Sequence, residues 1–272
     1  MNASGGTAGT GRTDDAAEPA KHQLQTLARG AAVLNLLLER DAFTLAEASE
    51  ALGLGSTVTY RLLRTWVTSG YLQVDRNGKR YAAGLTLMRL AAKARTTSGL
   101  PEAEERLEEL SRRIDQTCSC AVLAGRYVLY VARVLGNRSL TYHVEVGKTL
   151  PAEATSTGHA LLAFEEERRV RELFPEPTLS PYTDATPRTV DELIERLRRV
   201  RDSGFAVNEG QLSQSISAVA VPVRDASGAV VATFSVAGPS TEVTSATVHG
   251  RYLPALLEAA AHPIELRTGV GA

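Results

Sequence analysis

The chain has 272 residues, of which 43% are hydrophobic and 22% are charged, and its formal net charge is −1. This length suits two domains, and the composition is typical of a soluble globular protein. No apolar run reaches the roughly eighteen residues that a membrane span needs. Residues 1–23 lack the apolar segment of a signal peptide and are rich in Gly, Thr, Ala and Asp, so we expect a disordered tail.

The charge is distributed unevenly along the chain. From Leu24 to Leu90 there are eight Lys and Arg against five Asp and Glu, which gives this segment +3, whereas the part from Ala91 onward carries −3. A basic end joined to an acidic body fits one domain that approaches phosphates and another that does not. The bias is modest and proves little by itself.

Two helices open the basic segment. Apolar residues at helical spacing predict the first helix near 28–40. The second begins after Thr44, which forms a capping box with Glu47, and it ends at Gly53. A tight turn then leads into a third helix at about 56–69, so the pattern indicates a helix-turn-helix.

The third helix is predicted to have a buried side and a polar side. Val58, Leu62 and Trp66 repeat every four residues and form the predicted buried stripe. The polar side has no acidic residue and offers groups that bond bases and phosphates. These candidate DNA-binding residues are Ser56, Thr57, Tyr60, Arg61 and Arg64.

A two-stranded hairpin is predicted after the third helix. Asn77-Gly78 is a strong hairpin signal, for which both central turn residues would adopt positive φ. Arg76, Lys79 and Arg80 place three cations at its tip, within reach of the DNA backbone. The segment is thus typical of a winged helix-turn-helix that binds double-stranded DNA. The alternative is a winged helix that serves as a protein-interaction adaptor.

The remainder predicts strands, then helices, then strands, which is an α+β arrangement with helices packed on a sheet. Two helices come first, at 84–98 and 101–114. The predicted strands are 119–123, 127–134, 139–146, 218–223 and 230–237, and the predicted helices are 156–164, 165–174, 190–202 and 246–261.

Several of these segments together resemble the IclR family of bacterial regulators. They include Leu52-Gly53-Leu54, Arg61-Leu62-Leu63, Gly70-Tyr71-Leu72, Ala154-Thr155-Ser156-Thr157-Gly158 and Ser235-Val236-Ala237-Gly238-Pro239. The similarity keeps order and spacing from about 24 to 266. It implies a dimer, often a dimer of dimers, that binds palindromic operators, with a GAF-like mixed α/β effector-binding domain after the winged helix.

The sequence departs from the family pattern at three places. The usual Pro before the third helix is Gly55, and a Lys-Ser-Thr run there is Ser56-Thr57-Val58. Lys is often seen where His159 stands. The expected domains are a tail (1–23), a winged helix-turn-helix (24–83), a linker helix (84–99) and an effector-binding domain (100–268). The linker helix is expected to contact a second copy, and the alternative is that it packs on its own effector-binding domain.

An effector pocket is expected where a helix begins after Thr155. Free amides and the helix dipole favour an anion at such a point. The resemblance implies a pocket against the sheet formed by Ser156, Thr157, Gly158, Asn208, Ser217 and Ser235. The alternative is structural, with Ser156 capping its helix and Ser217 ending a strand.

Catalytic and metal-binding patterns are missing from the sequence. There is no Gly-x-Ser-x-Gly, Gly-x-x-x-x-Gly-Lys, His-Glu-x-x-His or dinucleotide motif, and the five histidines are scattered. Cys118 and Cys120 should share one face of a strand, where packing is favoured over a metal or redox role. Tyr127, Tyr130 and Tyr142 are expected at the strand core or rim.

The sequence therefore predicts a ligand-responsive transcriptional regulator that is not an enzyme and needs no cofactor. It should bind a palindromic operator as a dimer or tetramer and respond to a small polar or anionic metabolite. With few cysteines and no expected membrane span, a cytoplasmic location is expected. A protein-interaction adaptor and a small-molecule enzyme with a GAF-like pocket are the alternatives.

Overall fold

The computed structural model describes residues 24–136 and 144–266. The boundary between two compact units falls between Ala92 and Lys93, inside one helix. Among the described residues, no helix is both long and apolar enough to cross a membrane.

The N-terminal unit is three helices and a small antiparallel sheet. Its elements are α1 (Gln25–Asn35, continued by a 3-10 turn at Leu36–Leu38), β1 (Ala42–Thr44), α2 (Leu45–Leu52), α3 (Ser56–Thr68), β2 (Leu72–Val74) and β3 (Arg80–Ala83), followed by α4 (Leu85–Thr97). The strand order is β1-β3-β2, so the predicted two-stranded hairpin gains a third strand. Phe43 of β1 lies opposite Tyr81 of β3, and both are buried in the core of this unit.

Helix α2 begins with the predicted capping box. The Thr44 hydroxyl accepts a hydrogen bond from the Glu47 amide at 3.2 Å, and the Glu47 carboxylate accepts one from the Thr44 amide at 2.6 Å. At the other end, Gly53 adopts a left-handed φ of 61°, a conformation that suits glycine and allows the tight turn into α3.

The C-terminal unit is a six-stranded antiparallel sheet with helices on both faces. Its elements are α5 (Leu100–Ile114), β4 (Cys118–Ala124), β5 (Tyr127–Val134), β6 (Thr149–Pro151), a 3-10 turn (Ala152–Ala154), α6 (Ser156–Leu162), α7 (Glu167–Leu173), α8 (Val190–Ser203), β7 (Ala206–Glu209), β8 (Ile216–Arg224), β9 (Val230–Pro239), α9 (Ser245–Thr247), a π-helical turn (Val248–Tyr252) and α10 (Leu253–Ala259). The strand order is β6-β5-β4-β9-β8-β7. Helices α5 and α10 cover one face, and α6, backed by α8, covers the other.

Some predicted elements of this unit need correction. The strand expected at 139–146 lies largely outside the described residues, and 144–146 are not in a strand. Strands β6 and β7 were not predicted. The helix expected at 246–261 is broken into α9, the π turn and α10, because Pro254 lacks the amide hydrogen that a continuous helix would use.

We predict that Thr44→Ala lowers the free energy of unfolding of the N-terminal unit by about 1 kcal/mol, because the substitution removes the capping hydroxyl. The chain has a single tryptophan, Trp66, so its fluorescence during urea unfolding reports on this unit. Thr65→Ala is the matched control, because within the described residues the Thr65 hydroxyl donates only to the Arg61 carbonyl oxygen of its own helix. Equal urea midpoints for Thr44→Ala and the unmutated protein would contradict the prediction.

Candidate nucleic-acid interface and ligand cavity

Helix α3 is anchored in the N-terminal core through Thr59 and Leu63, both fully buried. Val58 was predicted to be the first buried residue of α3, but it is 43% exposed, so that part of the prediction is wrong. Thr59 tolerates burial because its hydroxyl donates to the Gly55 carbonyl oxygen at 3.2 Å, one helical turn earlier. The buried side of α3 is therefore rotated by about one residue from the prediction.

The other two residues of the predicted stripe, Leu62 and Trp66, are partly buried against the core. The Trp66 indole N–H donates to the Gly30 carbonyl oxygen at 3.0 Å. A Cβ at Gly30 would come within 3.3 Å of the indole ring, so glycine allows α1 to approach α3 this closely. These contacts hold α3 at a fixed rotation.

The opposite side of α3 is exposed and carries no acidic residue. It presents all five candidates of this helix, namely Ser56, Thr57, Tyr60, Arg61 and Arg64. In the described part of the chain, neither arginine forms an ion pair with an acidic side chain. The two guanidinium groups are thus available to donate hydrogen bonds to acceptors such as base edges and phosphate oxygens. Their contact with DNA stays a prediction.

The wing is closed by a turn in which Gly78 has a φ of 68° and donates its amide to the Asp75 carbonyl oxygen at 2.9 Å. Asn77 does not share the positive φ, so the predicted turn geometry is wrong at that residue. Instead, the Asp75 carboxylate accepts the amides of Arg80 (3.1 Å) and Lys79 (2.8 Å). These backbone hydrogen bonds hold the pKa of Asp75 below its usual value.

The three predicted wing cations are all exposed. The Arg80 guanidinium donates to the Ala42 carbonyl oxygen at 2.9 Å and so ties β3 to β1. Arg76 and Lys79 make no side-chain hydrogen bond or ion pair within the described residues. The structure therefore gives Arg80 a structural contact in addition to its predicted role, and leaves Arg76 and Lys79 extended from the tip.

A small cavity of about 30 Å³ lies in the C-terminal unit between the start of α6 and the sheet. None of its lining residues carries a charge, and the lining mixes hydroxyl, amide and apolar groups. The lining residues are Tyr130, Leu150, Thr155, Ser156, Asn208, Leu212, Ser213, Ile216, Ala218 and Ala237.

Two of the six effector-pocket candidates, Ser156 and Asn208, line this cavity. The Asn208 amide group donates to the Ala154 carbonyl oxygen at 2.6 Å and accepts the Gln211 backbone amide at 2.9 Å. The Asn208 side chain therefore connects the 3-10 turn that precedes α6 to the loop 210–215, which also lines the cavity. Thr155 caps α6 by accepting the Gly158 amide at 3.1 Å, so capping by Ser156, the structural alternative, is not what the structure shows.

Thr157 and Gly158 lie behind the cavity and not in its wall. The Thr157 hydroxyl is 3.3 Å from the Tyr130 hydroxyl and is buried. A Cβ at Gly158 would lie 2.1 Å from the Ala152 carbonyl oxygen, so only glycine allows α6 to pack on the preceding turn. Gly158 thus has a packing role that the sequence pattern alone did not reveal.

Ser217 is not brought to the cavity. Its neighbours Ile216 and Ala218 line the cavity, and successive side chains of a strand point to opposite faces, so Ser217 faces the α5–α10 side. Ser235 lies on the cavity side of the sheet, two residues from Ala237, but its hydroxyl is 3.5 Å from the Ser119 carbonyl oxygen and is buried under α6.

Most of the apolar wall of the cavity was not predicted from the sequence. Leu150 lies on a strand that was not predicted, and Tyr130 was assigned to the strand core or rim. Ile216 and Ala218 could have been found by strand alternation, because β8 carries buried valines at 219, 221 and 223 on the other face. Leu212 belongs to a loop and gives no periodic signal.

Cys118 and Cys120 share one buried face of β4, as predicted. Burial raises the pKa of each thiol to about 12, with Glu104 adding to the effect on Cys120. A thiol with this pKa is almost entirely protonated at neutral pH and is a poor redox sensor. Among the described residues, no group of three or more His, Cys, Asp and Glu is placed to hold a metal.

His159 is fully buried in α6, and one of its ring nitrogens, Nε2, is 2.8 Å from the Glu153 carbonyl oxygen. Burial lowers the pKa of His159 to about 4, so the ring is neutral at physiological pH and donates its Nε2–H to this carbonyl. The residue that stands in the place of the family's lysine is therefore an uncharged part of the core.

The architecture is that of a DNA-binding regulator: a winged helix with a basic face, followed by a sheet domain with a small cavity. Residues 26–76 match the family described as the IclR helix-turn-helix domain, and residues 100–265 match the bacterial transcriptional regulator IclR C-terminal family. The chain belongs to the IclR family of bacterial transcriptional regulators. Its curated relatives are named transcriptional regulators, and the enzyme alternative is dropped.

Three similar proteins illustrate the relationship. The Pca regulon regulatory protein of Pseudomonas putida is 30% identical over 87% of this chain and 81% of its own length. An IclR regulator from Alicyclobacillus acidocaldarius is 29% identical, with a TM-score of 0.78 over 88% of this chain and 97% of that chain. An IclR homologue from Microbacterium hydrocarbonoxydans, solved with 4-hydroxybenzoate, is 26% identical, with a TM-score of 0.73 over 87% and 96%.

We predict that acid destabilises the C-terminal unit through His159. Its pKa of about 4 in the folded chain lies below its ordinary value, so the unfolded state binds more protons and stability falls as the pH drops from 6.5 towards 4. At pH 5 this costs about 2 kcal/mol relative to pH 7.5. Thermal melting of the unmutated protein and His159→Gln over this range measures the difference. His262→Gln, at an exposed histidine, is the control, and parallel pH profiles for all three proteins would contradict the prediction.

Proposed function

We propose that this regulator binds a palindromic operator as a dimer or tetramer, and that a small polar or anionic metabolite bound at the cavity controls the binding. It acts in the cytoplasm, where its DNA target lies. The α3 helix enters the major groove, and the wing contacts the flanking phosphates.

The observation that carries the proposal is the outer side of α3. Arg61 and Arg64 lie one turn apart, exposed, with no acidic residue in the helix to neutralise them. A merely solvated helix face usually mixes both signs of charge. Arg76 and Lys79 extend the positive surface to the wing. This arrangement favours DNA over the protein-interaction adaptor.

Exposed apolar side chains on α4 support assembly with a second copy. Leu85, Met88 and Leu90 are 72%, 67% and 51% exposed. Leu85 and Met88 are three residues apart and share one side of the helix, whereas Leu90 lies on another side. Exposed apolar side chains such as this pair favour burial against a partner. In a dimer the two α3 helices would read half-sites about one helical turn of DNA apart, which is the spacing that a palindromic operator provides.

The effector is proposed to be a small aromatic acid or a related polar compound. The relatives named for the Pca regulon and solved with 4-hydroxybenzoate suggest this class. In this chain, Tyr130 and Leu150 offer an apolar wall, and Ser156 and Ser213 offer hydroxyls. The absence of a lining cation means that a carboxylate would have to be held by neutral donors.

The cavity must widen to admit such a ligand, because it holds about 30 Å³ and ligand sites commonly measure about 300 Å³ or more. The loop 210–215 is the part that we expect to move. It is held by the Asn208 contact and by hydroxyl groups of Thr183 and Thr186, which donate to the carbonyl oxygens of Gly210 and Gln211 at 2.7 Å each. An effector that favours the opened loop would shift the balance between two states of the regulator.

We predict that Arg61→Ala and Arg64→Ala each weaken operator binding by about tenfold or more, because one guanidinium contact to a base contributes about 1–3 kcal/mol. Fluorescence anisotropy with the DNA that lies upstream of the regulator's own gene measures the affinity, and footprinting locates the two inverted half-sites. Affinity should also fall steeply as salt rises.

Arg199→Ala is the matched control for this experiment, because Arg199 is exposed on α8 in the other unit. Its variant should bind DNA like the unmutated protein. Wild-type affinity in both α3 variants would contradict the assigned surface, and salt-independent binding would contradict the proposed function as a whole.

We predict that 4-hydroxybenzoate raises the melting temperature of the C-terminal unit, and that Ser156→Ala lowers the affinity for the compound by about fivefold to tenfold, since one neutral hydrogen bond contributes about 1 kcal/mol. Isothermal titration calorimetry measures the dissociation constant. Ser217→Ala is the comparison, because Ser217 faces away from the cavity.

If Ser156→Ala and Ser217→Ala weaken the binding of 4-hydroxybenzoate equally, the cavity is not the binding site, and the pocket expected from the sequence is favoured. If titration with 4-hydroxybenzoate gives no heat but another small acid binds, and Ser156→Ala weakens that binding, the cavity is still the effector site and only the proposed ligand is wrong.

A further inference from the structure

We infer that Val58 reads a thymine methyl group in the operator and is a specificity-determining residue of the α3 helix. The inference rests on the proposed DNA binding and adds a base-specific contact to it. The residue was predicted to be part of the core, yet the structure leaves 43% of its surface exposed.

The position of Val58 in α3 places it where bases are read. Val58 is the third residue of the helix, and the first turn of a recognition helix is the part that lies against base edges. It lies three residues before Arg61, and residues at this spacing are neighbours on a helix surface. The methyl groups of Val58 therefore sit beside a guanidinium group that faces the same groove.

An apolar row leads from the core of the N-terminal unit out to this point. Leu62, one turn further along α3, is partly buried against the core, whereas Val58 is exposed. The apolar side chains of α3 therefore continue from the core to the surface at its N-terminal end, which is the end proposed to approach DNA. Valine is also a weaker helix former than alanine, so local helix preference does not explain its presence on an exposed turn.

The chemistry of the groove gives an exposed apolar side chain a defined partner. Thymine alone of the four bases presents a C5 methyl group in the major groove, and small apolar side chains recognise it by contact. Three hydroxyl groups of α3, those of Thr59, Thr65 and Thr68, donate to carbonyl oxygens of their own helix, whereas Val58 has only methyl groups to offer. Arginine selects guanine acceptors, so Val58 would add a complementary preference for thymine next to the base that Arg61 contacts.

The test uses the full chain and a duplex selected by it from a random pool. In this duplex, each thymidine of a half-site is replaced in turn by deoxyuridine, symmetrically in both half-sites, which removes only the methyl group. Binding of the unmutated protein should fall about fourfold per half-site at one thymidine position, the loss expected for one methyl group no longer buried.

The same series is then measured with Val58→Ala. The substitution should weaken binding to the thymidine duplex by a similar factor and abolish the penalty for deoxyuridine at that one position, since the two changes remove the same contact. Val146→Ala, at a valine exposed on the other unit, should show the unmutated pattern throughout. A urea unfolding curve, followed by Trp66 fluorescence, that matches the curve of the unmutated protein verifies that Val58→Ala is folded.

Three outcomes overturn the inference. The first is equal binding of the unmutated protein with deoxyuridine at every position, and the second is a full deoxyuridine penalty retained by Val58→Ala. Either result, with tight binding to the selected duplex retained, removes the thymine contact and leaves the proposed DNA binding intact. Failure to select any duplex at low salt overturns both.

Discussion

The rotation of α3 about its own axis decides which of its side chains are exposed on the N-terminal unit, and the buried residues Thr59 and Leu63, together with the Trp66–Gly30 contact, fix it. Thr59 and Leu63 point into the N-terminal core, and each residue along a helix turns the next side chain by about 100°. A hydroxyl in that core would be costly without a partner, but the Thr59 hydroxyl bonds a carbonyl oxygen of its own helix. Arg61 and Arg64 face outward as a direct result.

Strand alternation has the same organising effect in the C-terminal unit. On β8, Ile216 and Ala218 face the cavity, whereas Ser217 and Val219 face α5 and α10. If the proposed ligand binds at the cavity, one surface of the sheet would adapt to it while the other remains packed. The loop 210–215 is held by hydrogen bonds with the Asn208 side chain, Thr183 and Thr186, so a ligand that displaces the loop would have to compete with these three contacts.

Local signals allowed much of this fold to be predicted. The capping box of Thr44 and Glu47 involves neighbouring residues, and so its geometry follows from sequence alone. The buried side of α3 did not follow, because Val58 and Thr59 are adjacent, similar in size and both β-branched, and the choice depends on how α1 and α2 pack against α3. Ser217 was selected for its hydroxyl, which says nothing of the face it occupies. Strands β6 and β7 are too short for a periodic pattern.

The burial of Cys118 and Cys120 has a practical consequence for measuring motion in this regulator. With each pKa at about 12, on the order of one thiol in 10⁵ is ionised at pH 7. A cysteine introduced on the exposed face of α3 would react with a maleimide dye far sooner than either native thiol. Dyes could therefore be attached without altering the native core, and in the proposed dimer the separation of the two labelled α3 helices would be followed as ligand is added.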